Sequence, residues 1–217
     1  MKERIMVYSI KKLVTVAAVF MAVSLSRAEN TDVMDLVRSN YTPHSNIELQ
    51  FEHTIYWSVR ERQEKKKGAL LLAPGEKFRF TLGKDAVVSD GVTYWQYSDM
   101  NDQLIIYNLA EIDLSYHPSN LFANYLIERS FASAGAQEGM VVMESTAPDD
   151  RYSSIQIKVE ESTGIIKQLT IVDKNENINT YTFTKTVLGK SFAPTDFIFT
   201  APENIDILDM REGYAPH

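Results

Sequence analysis

Four histidines, His44, His53, His117 and His217, are the first groups in this chain to test for chemistry. None lies at metal-ligand spacing from another. A structural or catalytic zinc needs three or four His, Cys or carboxylate ligands at short intervals, and the chain has no cysteine, so a zinc site has almost no support. No Gly-x-Ser-x-Gly elbow presents a nucleophile, and no glycine-rich loop could cradle a phosphate. Carboxylates are plentiful, but Asp90, Asp102, Asp149 and Asp150 fall at turns and the others on polar strand faces. Nothing nominates an acid pair. His53 reads as a core-edge or cavity-wall residue. The expectation is a protein with no catalytic group, no metal and no cofactor.

What stands out is apolar and aromatic side chains on alternating positions. Leu49 and Phe51 share a face, as do Leu70 and Leu72, Phe78 and Phe80, and Trp95 and Tyr97. Alternation says which side chains point the same way. It leaves open whether the face they form is an ordinary core or the wall of a ligand cavity.

The elements that carry these stripes are short strands. Ile47, Leu49, Phe51, His53, Ile55 and Trp57 alternate with polar residues, giving period two over a dozen positions. The charged run Arg60 to Lys67 is read as a solvated hairpin loop. Strands are expected at Ala69–Leu72, Phe78–Leu82, Ala86–Ser89, Thr93–Tyr97, Leu104–Tyr107, Met140–Ser145, Ser154–Glu160, Ile165–Val172 and Ile178–Thr186. Gly, Asp, Asn and Pro clusters separate them, and Asp90-Gly91 is a hairpin signal. A short helix is expected from Asp32, ended by Asn40 to Pro43, and a second opens at His117-Pro118-Ser119. About 10–11 antiparallel strands with no strand-helix-strand alternation predict a mainly β fold, an unclosed barrel with a short helical lid over its mouth.

Length and charge set the surroundings. Residues 1–28 have a basic start, an apolar run over Leu13 to Leu25 and Ser26-Arg27-Ala28 at their end, the pattern of an export signal cleaved after Ala28. Residues 29–217 then read as one domain. Residues 1–28 carry five Lys/Arg against one Glu, so the formal charge of −7 becomes −11 once they are removed. An acidic surface argues against nucleic acid and anionic lipid. Without cysteine there is no disulfide and no site for lipidation, so the exported chain is expected to float free after cleavage; a monomer is expected.

Phe51, Gly68-Ala-Leu, Pro74, Phe78-Arg-Phe80, Val88-Ser-Asp-Gly91 with Trp95-x-Tyr97, Phe197-x-Phe199-x-x-Pro202 and Asp209-x-Arg211 follow in order along the mature chain. Together they resemble the periplasmic outer-membrane lipoprotein carrier family LolA. The resemblance implies a half-open barrel whose cavity takes the acyl chains of triacylated lipoproteins. It implies two protein partners, an inner-membrane lipoprotein-releasing ABC transporter and an outer-membrane acceptor lipoprotein. It implies periplasmic residence and no enzymatic activity. Relatives of the same fold carry lipid or glycolipid, or serve as envelope-stress sensor subunits. On this resemblance the acyl-chain cavity is assigned to Leu49, Phe51, Leu70, Leu72, Phe78, Phe80, Trp95, Tyr97 and Phe199, and the lid to Leu121, Phe122 and Leu126. Characterised carriers often place an Arg before the proline matched by Pro74, where it latches the lid. This chain has Ala73 there, and Arg79 points, by alternation, to the other face.

Overall fold

The computed structural model describes residues 33–114, 117, 129–146 and 152–211. Its strands are β1 (Ile47–Trp57), β2 (Arg62–Ala73), β3 (Lys77–Leu82), β4 (Asp85–Asp90), β5 (Thr93–Ser98), β6 (Gln103–Asn108), β7 (Phe131–Gln137), β8 (Met140–Ser145), β9 (Tyr152–Glu160), β10 (Ile165–Asp173), β11 (Ile178–Leu188) and β12 (Asp206–Asp209). They form one unclosed sheet in the order β12-β6-β5-β4-β3-β2-β1-β11-β10-β9-β8-β7. Hairpins join β1 through β6 and β7 through β11, and β1 pairs with β11 to unite the two runs. The mainly β, open-barrel expectation holds.

Three details differ from expectation. The charged run is strand rather than loop: Arg62 to Lys67 pair with Trp57 to Glu52. Pairing a long β1 along its whole length satisfies backbone groups that a loop would leave to water. Lys65 meets Glu52 at 2.9 Å and Arg62 meets Glu64 at 3.3 Å. Secondly, β7 and β12 bring the count to twelve. β7 reads Phe-Ala-Ser-Ala-Gly-Ala-Gln, too small and polar to show a stripe, and is held by its register with β8 across a bulge at Ser133/Gly135. Thirdly, β12 pairs with β6 in parallel. It reaches that edge only after the chain has crossed from β11, so a hairpin return was not open to it.

Most of the core lies on one face, here called inner. Leu49, Phe51, Leu70, Leu72, Phe78 and Tyr94 come to it from β1, β2, β3 and β5, and Met143, Ile157 and Leu169 from β8, β9 and β10. A helix over 33–41 joins the same core through Val33, Met34, Val37 and Tyr41. The Tyr41 hydroxyl accepts from the Ile166 amide at 3.2 Å, and burial pushes its pKa up to about 12.

The outer face of β3 to β6 is also covered. Val88 and Leu104 are buried there. The segment after β11 crosses it, with a 3-10 turn at Pro194–Phe197 whose Phe197 is buried. Arg79 ties this strap down: its Nε donates to the Asp196 carbonyl and its Nη2 to the Ile198 carbonyl, each at 2.7 Å. On the outer face of β1, Glu48 is buried with Lys190 and Lys185 on its carboxylate, which holds its pKa down at about 2.

Candidate functional site

The inner face of β1 to β5 is where the predicted apolar stripes converge. Register fixes this. Leu49 sits opposite Leu70, Leu70 opposite Phe80, Leu72 opposite Phe78, and Phe78 opposite Ser89, which in turn faces Tyr94. Cross-strand partners share a face, so these side chains form one continuous apolar floor.

Gly68 shapes its centre. It lies opposite Phe51, and a Cβ there would fall 2.5 Å from the Phe51 ring. Without that Cβ the ring lies over the glycine and stacks on Phe80, centroids 5.8 Å apart at 23°. Tyr181 and Phe183 of β11 pack edge-on against the same ring at 5.5 and 6.4 Å.

Ser89-Asp90-Gly91 has a local reason too. Asp90 Oδ1 accepts from the amides of Val92 and Thr93, and Ser89 Oγ from that of Gly91. Gly91 has φ of 94°, and a Cβ on it would stand 2.4 Å from the Gly75 carbonyl oxygen. Only glycine fits, and the β4–β5 turn thereby rests against the β2–β3 turn.

A second aromatic group covers one end of the floor. After β6 the chain turns over the inner face, where Leu109, Ile112 and Leu114 pack onto the core. His117 follows, its ring 4.5 Å from Phe78, 5.9 Å from Phe80 and 6.3 Å from Tyr94. Burial in this apolar setting lowers its pKa to about 4, so the imidazole is neutral. Leu49, Leu70 and Phe78 are at most 2% exposed, so the floor is covered in this conformation.

Six of the nine residues assigned to the cavity lie together here: Leu49, Phe51, Leu70, Leu72, Phe78 and Phe80. The other three do not join them. Trp95 and Tyr97 fall on the opposite face, because Trp95 is in register with Val88 and Val88 with Arg79. There Tyr97 meets Phe199 of the strap at 5.4 Å. Trp-x-Tyr is the stronger apolar stripe of β5, but it faces the strap, and the inner face takes Tyr94. The lid residues Leu121, Phe122 and Leu126 lie outside the described residues. Sequence reasoning missed Tyr94, Tyr181, Phe183 and the position of His117. The Tyr181/Phe183 alternation was visible, but a bulge at Thr184 shifts its register with β1.

Among the described residues no three His, Asp or Glu gather as a metal site, and no helix is long and apolar enough to cross a membrane. The floor itself is lined by apolar side chains. Residues 45–200 match the family model described as outer membrane lipoprotein carrier protein LolA. The chain belongs to that family. An outer-membrane lipoprotein carrier protein of Vibrio campbellii is 24% identical over 86% of this chain and 90% of its own length. One from Vibrio vulnificus is 26% identical over 77% and 85%. In fold, the chain is similar to an uncharacterized conserved protein from Thermus thermophilus, with TM-score 0.52 at 9% identity, covering 83% of this chain and 98% of that one. The LolA resemblance read from the motifs thus holds at the level of family.

Proposed function

We propose that this chain is a periplasmic, non-enzymatic carrier that shields lipoprotein acyl chains on the inner face of its sheet and moves them from the inner to the outer membrane. The observation that carries this reading is the continuous apolar floor of Leu49, Phe51, Leu70, Leu72, Phe78 and Phe80, with a cover over it. The cover is chain that follows β6, ending in the described residues at His117. An acyl chain enters by taking the place of those side chains, exchanging one set of apolar contacts for another. That keeps both states close in free energy, as pick-up and release require.

Burying each methylene is worth about 0.8 kcal/mol, so an acylated protein left in water would lose on the order of tens of kcal/mol. Diffusion between membranes then needs a shield throughout. Residues 1–28 act as the cleaved export signal, and the mature single domain works as a monomer. Cargo comes from an inner-membrane lipoprotein-releasing ABC transporter and passes to an outer-membrane acceptor lipoprotein with a better apolar fit. Leu121, Phe122 and Leu126 complete the lid.

Mass spectrometry of the protein recovered from periplasm tests this. Triacylated lipoprotein should co-purify in stoichiometric amount. Lipid without attached protein would replace this reading with that of a lipid or glycolipid carrier or sensor subunit, and no acylated material at all would refute both.

A further inference from the structure

Two polar groups interrupt the apolar inner face. Along the inner side of β1, Ile47, Leu49 and Phe51 are followed by His53, which is 8% exposed. Its register partner on β11 is Tyr181, and the two rings stack with centroids 4.5 Å apart at 24°. His53 Nε2 lies 3.0 Å from Oδ1 of Asn179. With that nitrogen donating, Nδ1 of the neutral ring carries a free lone pair. Burial holds the His53 pKa down, against the Asn179 bond, and Lys66 on the neighbouring strand adds to the effect.

Among the described residues, no protein group bonds to His53 Nδ1 or to the Tyr181 hydroxyl. Yet no fully enclosed side-chain N or O in those residues lacks a partner. Neither atom is therefore fully enclosed. They present one acceptor and one hydroxyl on stacked rings within the apolar inner face.

Resting on the carrier reading, we propose that His53 and Tyr181 bind the polar linkage of an acyl lipid, Tyr181 donating to an acyl carbonyl and His53 Nδ1 accepting from a nearby N–H or O–H. Four residues of strand from His53 to Leu49 span about 13 Å, within the about 15 Å of an acyl chain that fills half of a hydrocarbon core about 30 Å thick, so a chain with its linkage at His53 runs along β1 over Phe51 to Leu49. The ligand class is an acyl lipid with a hydrogen-bond donor beside its carbonyl, such as an N-acyl amide, as opposed to a plain ester.

The test displaces a pyrene-labelled long-chain acyl probe from the purified protein with N-(2-hydroxyethyl)palmitamide or methyl palmitate. The tails match, and only the amide offers donors. Wild type should prefer the amide roughly fivefold or more, the worth of one well-made hydrogen bond. His53→Phe should bring the ratio of affinities near one. His53→Gln, which restores an acceptor oxygen, should recover part of it. Tyr181→Phe should weaken both ligands while keeping the ratio. Equal affinities in wild type, or a preference that survives His53→Phe, overturn the linkage site and leave the carrier reading standing. Failure of both ligands to displace the probe from wild type removes the apolar site itself, and this proposal with it.

Discussion

Gly68→Ala tests the packing at the centre of the floor. The new Cβ would lie 2.5 Å from the Phe51 ring and 2.5 Å from the Thr81 carbonyl oxygen. The ring can rotate away, but the carbonyl belongs to the backbone of β3 and cannot yield by a rotamer change. Overpacking of this kind costs about 1–3 kcal/mol. Losing the Phe51–Phe80 stack adds about 1 kcal/mol. The stiffer alanine backbone returns about 0.5–1 kcal/mol. The net expectation is a loss of about 2 kcal/mol, or about 4–8 °C in melting temperature for a chain of this size. Urea and thermal denaturation followed by tryptophan fluorescence read it. Adding Phe51→Leu should relieve the ring contact but not the carbonyl contact, so the double variant should be about 1 kcal/mol more stable than additivity gives. A midpoint equal to or above wild type, or strictly additive changes, would refute the account of Gly68.

Phe80→Glu, on a partly buried floor position, should abolish co-purification of acylated cargo while leaving a folded protein. Phe78 is less suited to that test, because at 2% exposure a carboxylate there also strikes the fold. Acid should act in two windows. His117 has its folded pKa lowered from 6.5 to about 4, so its neutral burial stabilises above pH 6.5 and that contribution is lost as pH falls toward 4. His117→Phe should flatten the stability profile there. Glu48 has its pKa lowered from 4.5 to about 2 by Lys190 and then Lys185, so its contribution persists to pH 4.5 and is lost below, and Glu48→Gln should remove only that lower limb. Arg79→Ala gives up two charge-assisted bonds to the strap carbonyls, about 2 kcal/mol, and should speed proteolysis between residues 190 and 200 before the rest of the chain is cut.

The stripes on β1 and β3 were legible because each strand has one apolar inner face and a polar or charged complement, as in Phe78-Arg79-Phe80, whereas on β2 Leu70 and Leu72 stood out only by size beside Ala69 and Ala73. β5 was misread for a physical reason: with Trp95 and Tyr97 facing the strap and Tyr94 facing the core, its two faces compete, and alternation favours the larger pair. β2 was half missed because its first residues are charged, and only the partner strand reveals that they pair. β7 carried no stripe to read. The polar interruption of the inner face was seen in outline, since His53 was read as a core-edge or cavity-wall residue. Tyr181 and Asn179 lie more than 120 residues away, a separation at which local pattern carries no information.

On the proposed carrier reading, the strap over β3 to β6 constrains how the molecule adapts to bulkier guests. With Arg79 bolting Asp196 and Ile198 to the back of the sheet, and β12 fastened along β6, that half cannot splay open without shedding its own brace. On that reading accommodation comes from the front, by unpacking the stretch up to His117, and tolerance for different tails is set there and not by the sheet's curvature.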